Sequence, residues 1–214
     1  MTSDRPRGDR RSIRLPGYDY TQPGANFVTI CTDRGECHFD GPVLRRVVEM
    51  VWLELPRHFP RVSLDAWVMM PNHFHGIPIL SDVRVVGAMH SYEHLSHQRG
   101  IAPSEMPDIA MSLPGHASPL RMPSGAPGGS LGAIIGNFKS VVARRINQIR
   151  DTPGAPVWQR NYHEHIIRTE RALRAIREYI VHNPARWHMD RYNVLAAEHD
   201  PMAAELWRLL EERP

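Results

Sequence analysis

Two pairs of side chains in this sequence could do chemistry together: the histidines of His73-Phe74-His75, and Tyr179 with Asn183 four residues later. In an extended strand side chains alternate faces, so His73 and His75 point one way and Phe74 the other. The two imidazoles stand about 7 Å apart along the strand and can converge on one divalent ion. The sequence has 13 histidines, and His163-Glu164-His165 repeats the spacing, so the pattern alone is a weak signal. Tyr179 and Asn183 lie about 40° apart on a helical wheel and share a face. Ile176 and Ile180 flank that arc, which puts the polar pair at the margin of a packing surface. The structural alternative is a core tyrosine tied to a carbonyl and an asparagine that ends the helix before Pro184.

The two pairs are chemically complementary. A phenol, with a pKa of about 10, is a poor nucleophile near neutrality. Transfer of a phosphodiester to it needs the hydroxyl aligned with phosphorus and the developing charge neutralised. A divalent ion held by two histidines and an amide oxygen can bind a non-bridging phosphate oxygen as a Lewis acid. The tyrosine can then hold the nucleic acid covalently, conserving the phosphodiester energy without ATP. No phosphate-binding P-loop pattern occurs.

The elements that must position these residues are legible. Residues 27–33 read as a strand, rich in β-branched and aromatic types. Pro42 opens a helix to His58, with Leu44, Val47, Val48, Val51, Trp52 and Leu55 at helical spacing. Strands at 62–70 and 73–80 are joined by the tight turn Pro71-Asn72, an antiparallel hairpin that presents both histidines just after the turn. Ser130 caps a helix to Arg150, and Asp151-Thr-Pro-Gly-Ala-Pro breaks it. Extended stretches at 157–159 and 163–168 follow. Thr169 then caps a helix to Asn183, which Pro184 stops. This order predicts an α+β fold: an antiparallel sheet with helices packed on one face. Pro78 interrupts the third strand, pointing to an edge position or a bulge.

Residues 82–129, dominated by Pro, Gly, Ser, Met and His, read as a largely disordered insertion. The predicted organisation is a basic arm at 1–14, a domain at 15–191 containing that insertion, and a tail at 192–214 with a short helix at 203–210. No apolar run is long enough to span a membrane and no signal peptide opens the chain, so a cytoplasmic protein is expected. Cys31 and Cys37 read as reduced thiols.

The net charge of +3 conceals a segregation. Residues 1–14 carry five arginines against two aspartates, and residues 130–191 carry eleven basic against five acidic groups. Concentrated basic charge suits a phosphate backbone, although a solvated helix face explains charge alone equally well. The residues picked for DNA contact are Arg11, Arg14, Lys139, Arg144, Arg145, Arg160 and Arg168, with the helix-borne cations placed near the reacting tyrosine. Trp158 and Tyr162 could stack on unpaired bases or fill the core.

Several segments together resemble the HUH single-tyrosine transposases, in particular the REP-associated tyrosine transposases. They are Arg11-Ser-Ile-Arg-Leu-Pro-Gly-Tyr-Asp-Tyr, Phe27-Val-Thr-Ile-Cys-Thr, Val68-Met-Met-Pro-Asn-His-Phe-His-Gly-Ile, Phe138-Lys-Ser, Val157-Trp-Gln-Arg-Asn-Tyr-His-Glu-His-Ile-Ile-Arg and Tyr179-Ile-Val-His-Asn-Pro. The resemblance implies a ferredoxin-like or RRM-like sheet. It implies Mg²⁺ or Mn²⁺ on His73 and His75, completed by Asn183, with Tyr179 as nucleophile. It further implies cleavage of single-stranded DNA beside a hairpin through a 5′-phosphotyrosine link, by a monomer or a homodimer. His163 departs from the pattern, which sets the second histidine pair apart from the metal site; His165 matches it, and its role is open. Two rivals compete: a non-catalytic nucleic-acid-binding regulator on an RRM-like sheet, and a metal-dependent hydrolase of small phosphates, which would leave Tyr179 unexplained.

Overall fold

The expected alternation of elements is realised in a computed structural model, which describes residues 18–83 and 127–211. In chain order these are β1 (Gly24–Cys31), α1 (Pro42–His58), β2 (Val62–Met69), β3 (His73–Leu80), α2 (Leu131–Arg150), β4 (His163–Ile167), α3 (Glu170–His182) and α4 (Pro201–Glu211). The arm at 1–14, with Arg11 and Arg14, and most of the insertion at 82–129 lie outside the described residues. Among the described residues no helix is long and apolar enough to cross a membrane. Cys31 is buried, Cys37 is exposed, and neither is in a disulfide.

The four strands form one antiparallel sheet in the order β2-β3-β1-β4. This is the strand order of a ferredoxin-like βαββαβ unit. Its two helices, α1 and α2, lie together on one face, where Val48, Trp52, Leu55, Phe138 and Val142 pack with Val28, Ile30 and Phe74. The expectation of helices on one face holds for this pair only. On the opposite face α3 and α4 pack Ile176, Tyr179, Ile180 and Leu206 against Phe27, Val68 and Ile77. The reason lies in β1 and β3, which are apolar on both sides, so that each face must be covered from water. The segment read as a tail thus contributes Leu206 to a core.

Pro78 sits in β3, a central strand rather than an edge. The irregularity it foreshadowed lies in its neighbour: the β2–β3 register shifts between Leu64 and Trp67. That bulge inverts the alternation of β2. Leu64 and Trp67 both pack toward α1 and α2, whereas Ala66 packs with the second core and Asp65 reaches Arg177 of α3 through hydrogen bonds of 2.5–3.2 Å. Gly76, one residue past His75, lets Trp52 lie directly on the sheet: a Cβ there would come within 2.7 Å of Trp52 Cζ2 and 2.8 Å of Phe74 Cε1.

The helix ends follow the local chemistry read from the sequence. Ser130 accepts a hydrogen bond from the Ala133 N–H and Thr169 from the Ala172 N–H. Asp151 closes α2 in the left-handed conformation (φ 51°). Beyond α3 the chain departs from expectation. Asn183 keeps a right-handed helical backbone ahead of Pro184, and a 3-10 segment, Pro184–Met189, continues the winding. Proline needs no N–H in a first turn, so it can open this segment as well as end α3.

Candidate metal and nucleophile site

β3 presents His73 and His75 to the α3 face of the sheet, and both side chains are fully buried. Their Nε2 atoms face each other at 3.0 Å. Each ring is anchored by its other nitrogen. His73 Nδ1 meets Asn72 Oδ1 at 2.9 Å, and His75 Nδ1 meets the Thr29 hydroxyl at 2.8 Å. The Asn72 amide cannot be turned over, because its Nδ2 donates to the carbonyls of Gly35 (3.0 Å) and Tyr192 (2.8 Å). Its Oδ1 can only accept, so His73 Nδ1 carries the proton and the neutral ring turns a lone pair inward from Nε2. Thr29 can donate or accept, so the His75 ring is free to match whatever lies between the two nitrogens.

Burial holds both imidazoles in their neutral form. It takes the pKa of His75 down to about 3, aided by Arg191 and His163, and that of His73 well below the usual value, aided by His75. Neutral nitrogen donors are what a metal ion requires. A third group joins them: Asp190, 4% exposed, whose Oδ2 lies 3.7 Å from His73 Nε2. Ligand atoms of His73, His75 and Asp190 all lie within 4.8 Å of one another. Two nitrogens and a carboxylate oxygen at this spacing fit a divalent cation.

Tyr179 stands beside them. Its ring centroid is 5.3 Å from that of His75 and 6.3 Å from that of Phe27, and the residue is 2% exposed. Burial raises its pKa, the charge of Asp190 adds to this, and Asn183 works the other way by favouring the phenolate. Asn183 is 1% exposed and neither carboxamide atom makes a hydrogen bond of good geometry among the described residues, although the group is near enough to Tyr179 and Asp190 to favour their ionised forms. A buried carboxamide without partners is costly unless a ligand or ion satisfies it. Tyr192 and Trp187 lie over His73, with centroid distances of 4.6 and 6.1 Å.

No protein-family profile matches the chain. An uncharacterized protein of Haemophilus influenzae is 34% identical over 196 residues, covering 86% of this chain and 93% of that protein. The chain belongs to that protein's family. Among solved structures, a REP-associated tyrosine transposase bound to a REP hairpin aligns with 82% of this chain and 74% of its own, at 16% identity and a TM-score of 0.48.

The four residues singled out for chemistry, His73, His75, Tyr179 and Asn183, meet on one face of the sheet. Among the described residues, those picked for DNA contact (Lys139, Arg144, Arg145, Arg160 and Arg168) are split between α2 and the ends of β4. Arg144 and Arg145 ride on α2, in the layer across the sheet from Tyr179, and Arg145 pairs with Glu54 of α1 at 3.2 Å. The helix-borne cations are therefore not near the tyrosine, because α2 is committed to the other core. Lys139, also on α2, donates from Nζ to the carbonyls of Gln159 (2.6 Å), Arg160 (3.1 Å) and Asn161 (3.1 Å), bracing the approach to β4. Arg160 and Arg168 are exposed at either end of that strand. Trp158 is buried among Phe39 and Phe138, a core residue rather than a stacking platform, and Tyr162 packs at the edge of the same core.

Asp190, Tyr192, Thr29 and the anchoring role of Asn72 were not found from the sequence. The sequence marks Asn72 as a turn residue only. Thr29 was discoverable, because an antiparallel register that sets Cys31 opposite His73 places Thr29 opposite His75. Asp190 carries no spacing signal, since it reaches the site by way of a 3-10 segment that Pro184 was expected to prevent.

Proposed function

We propose that the protein is a transposase-type enzyme that cuts and rejoins single-stranded DNA beside hairpins, with Tyr179 as nucleophile. The observation that carries this reading is the meeting of a buried phenol, a buried carboxamide and two neutral, facing imidazoles in one cluster. In this reading His73 and His75 hold Mg²⁺ or Mn²⁺, with Asn183 turned toward the same space. The ion would supply Lewis-acid stabilisation of charge on a non-bridging phosphate oxygen.

The side chains set the rest of the reaction. The Tyr179 oxygen attacks phosphorus, the P–O3′ bond breaks, and the tyrosine keeps the 5′-phosphate as a diester. The hydroxyl proton ends on the departing 3′ oxygen, so no external acid or base is consumed overall. The raised pKa of Tyr179 keeps the phenol protonated, and hence inert, until an added positive charge favours its ionised form. Thr29 and Asn72 fix the imidazole orientations, so the donor atoms need not reorganise. Exposed Arg160 and Arg168 are the described cations best placed for phosphate contact on the β4 side. Because His73, His75 and Tyr179 are buried, with Trp187 and Tyr192 over His73, a strand gains access when part of the segment after α3 moves aside.

The test is incubation of end-labelled, hairpin-flanked single strands with Mn²⁺, resolved on a denaturing gel. Wild-type protein yields a labelled band that migrates with the polypeptide, and Tyr179→Phe yields none while binding the same DNA. An undiminished adduct in the variant removes Tyr179 from the reaction.

A further inference from the structure

We propose that Asp190 is a ligand to the metal ion held by His73 and His75, so that the segment following the nucleophile helix closes the coordination sphere with a carboxylate. The proposal rests on the metal reading above and extends it to a residue on a different part of the chain.

The geometry around Asp190 divides its two oxygens. Oδ1 accepts the Tyr192 N–H at 2.7 Å, a local turn contact that fixes the side chain. Oδ2 is left to face the imidazoles, 3.7 Å from His73 Nε2. The carboxylate is 4% exposed, the His73 ring it faces is neutral, and among the described residues Arg191 and Asn183 favour its charged form. A charge taken out of water in this way costs several kcal/mol unless it is paired or bound to a metal. The facing nitrogens can serve the same ion, since Thr29 as acceptor from His75 Nδ1–H leaves a lone pair on each Nε2. With the His73 proton fixed on Nδ1 by Asn72, its Nε2 lone pair points at His75 Nε2 across 3.0 Å. A divalent cation set between them satisfies both nitrogens and neutralises Oδ2. Asn183, buried and without a hydrogen bond of good geometry among the described residues, borders the same space and favours the charged form of Asp190.

The site so assembled joins two separate pieces of chain. The histidines belong to the rigid centre of the sheet, and Asp190 belongs to the loop that also carries Tyr192 and begins seven residues past Asn183. Ion binding therefore ties that loop down.

The experiment is direct titration with Mn²⁺, followed by the loss of the free-ion electron paramagnetic resonance signal, on wild type, Asp190→Asn and His73→Ala/His75→Ala. Asparagine keeps the Oδ1 acceptor for Tyr192, so circular dichroism should show an intact fold. Wild type is expected to bind one ion, Asp190→Asn at least tenfold more weakly, and the double-histidine variant not measurably. Wild-type protein carrying [4-¹³C]aspartate supplies a second measurement independent of any variant: a ¹³C hyperfine coupling to the bound Mn²⁺ is expected. Unchanged affinity in a folded Asp190→Asn together with no ¹³C coupling overturns the assignment of Asp190 and leaves the histidine site standing. Should Asp190→Asn fail to fold, the ¹³C coupling alone decides. Wild type that binds no ion overturns both this proposal and the metal reading, while DNA adduct formation is scored separately through Tyr179→Phe.

Discussion

Replacing Asn72 by alanine removes the group that sets the His73 ring, and the loss can be sized. Three contacts disappear: the acceptor for His73 Nδ1 at 2.9 Å and the donors to Gly35 O at 3.0 Å and Tyr192 O at 2.8 Å. The residues that own these carbonyls are half-buried, so water can replace part of what each loses, at a cost of about 0.5–1 kcal/mol apiece. His73 is fully buried, so its Nδ1–H stays dry and costs about 1–3 kcal/mol. The sum is about 3 kcal/mol, a large share of the roughly 5–15 kcal/mol that holds a domain of this kind together. Urea unfolding should show the midpoint falling at constant slope. The His73 ring, no longer held to one tautomer, should also bind Mn²⁺ about 10–100-fold more weakly. Asn72→Asp separates the two effects: it keeps an acceptor for His73 but sets a carboxylate against two carbonyls, so it should lose stability yet retain more metal affinity than alanine. If Asn72→Ala unfolds within about 0.5 kcal/mol of wild type and its Mn²⁺ affinity stays within about twofold, the tautomer argument fails.

Two further substitutions probe the scaffold beneath the site. Gly76→Ala should cost about 1–3 kcal/mol, because its Cβ would press on Trp52 and Phe74 from the strand that carries His75; thermal unfolding at or above the wild-type midpoint would contradict that packing. Thr169→Ala should cost about 1 kcal/mol through loss of the α3 cap and raise amide exchange in the first turn of that helix, leaving Tyr179 three turns away protected; exchange unchanged across 170–173 would refute it.

The parts of this fold that were legible in the sequence are those fixed by local pattern. The periodicity of Val47, Val51 and Leu55 and the capping oxygens of Ser130 and Thr169 depend on neighbours within a turn, and those helices begin and end where expected. The histidine pair and the Tyr179–Asn183 pair were legible for the same reason, since a strand and a helix each carry two functional groups on one face. What escaped depends on distant chain. Helices on the second face follow from Phe27 and Ile77 needing cover, which no window of sequence states. The reversal of alternation in β2 is a one-residue bulge with no glycine to mark it. Asp190 reaches the histidines only because Asn183 holds a helical backbone ahead of a proline, against the usual restriction on that position. The arginines of α2 were placed near the tyrosine on charge alone, and charge says nothing about which layer a helix joins.

Lys139 has a practical consequence. It is the only lysine in the sequence, and its Nζ is occupied by three successive carbonyls at 159–161, with burial lowering its pKa to about 8. Acylating reagents thus have one side-chain amine to find, and it is sheltered inside a joint between α2 and β4. The rate of its labelling becomes an intrinsic clock for local breathing at that joint, readable by mass spectrometry without introducing a reporter.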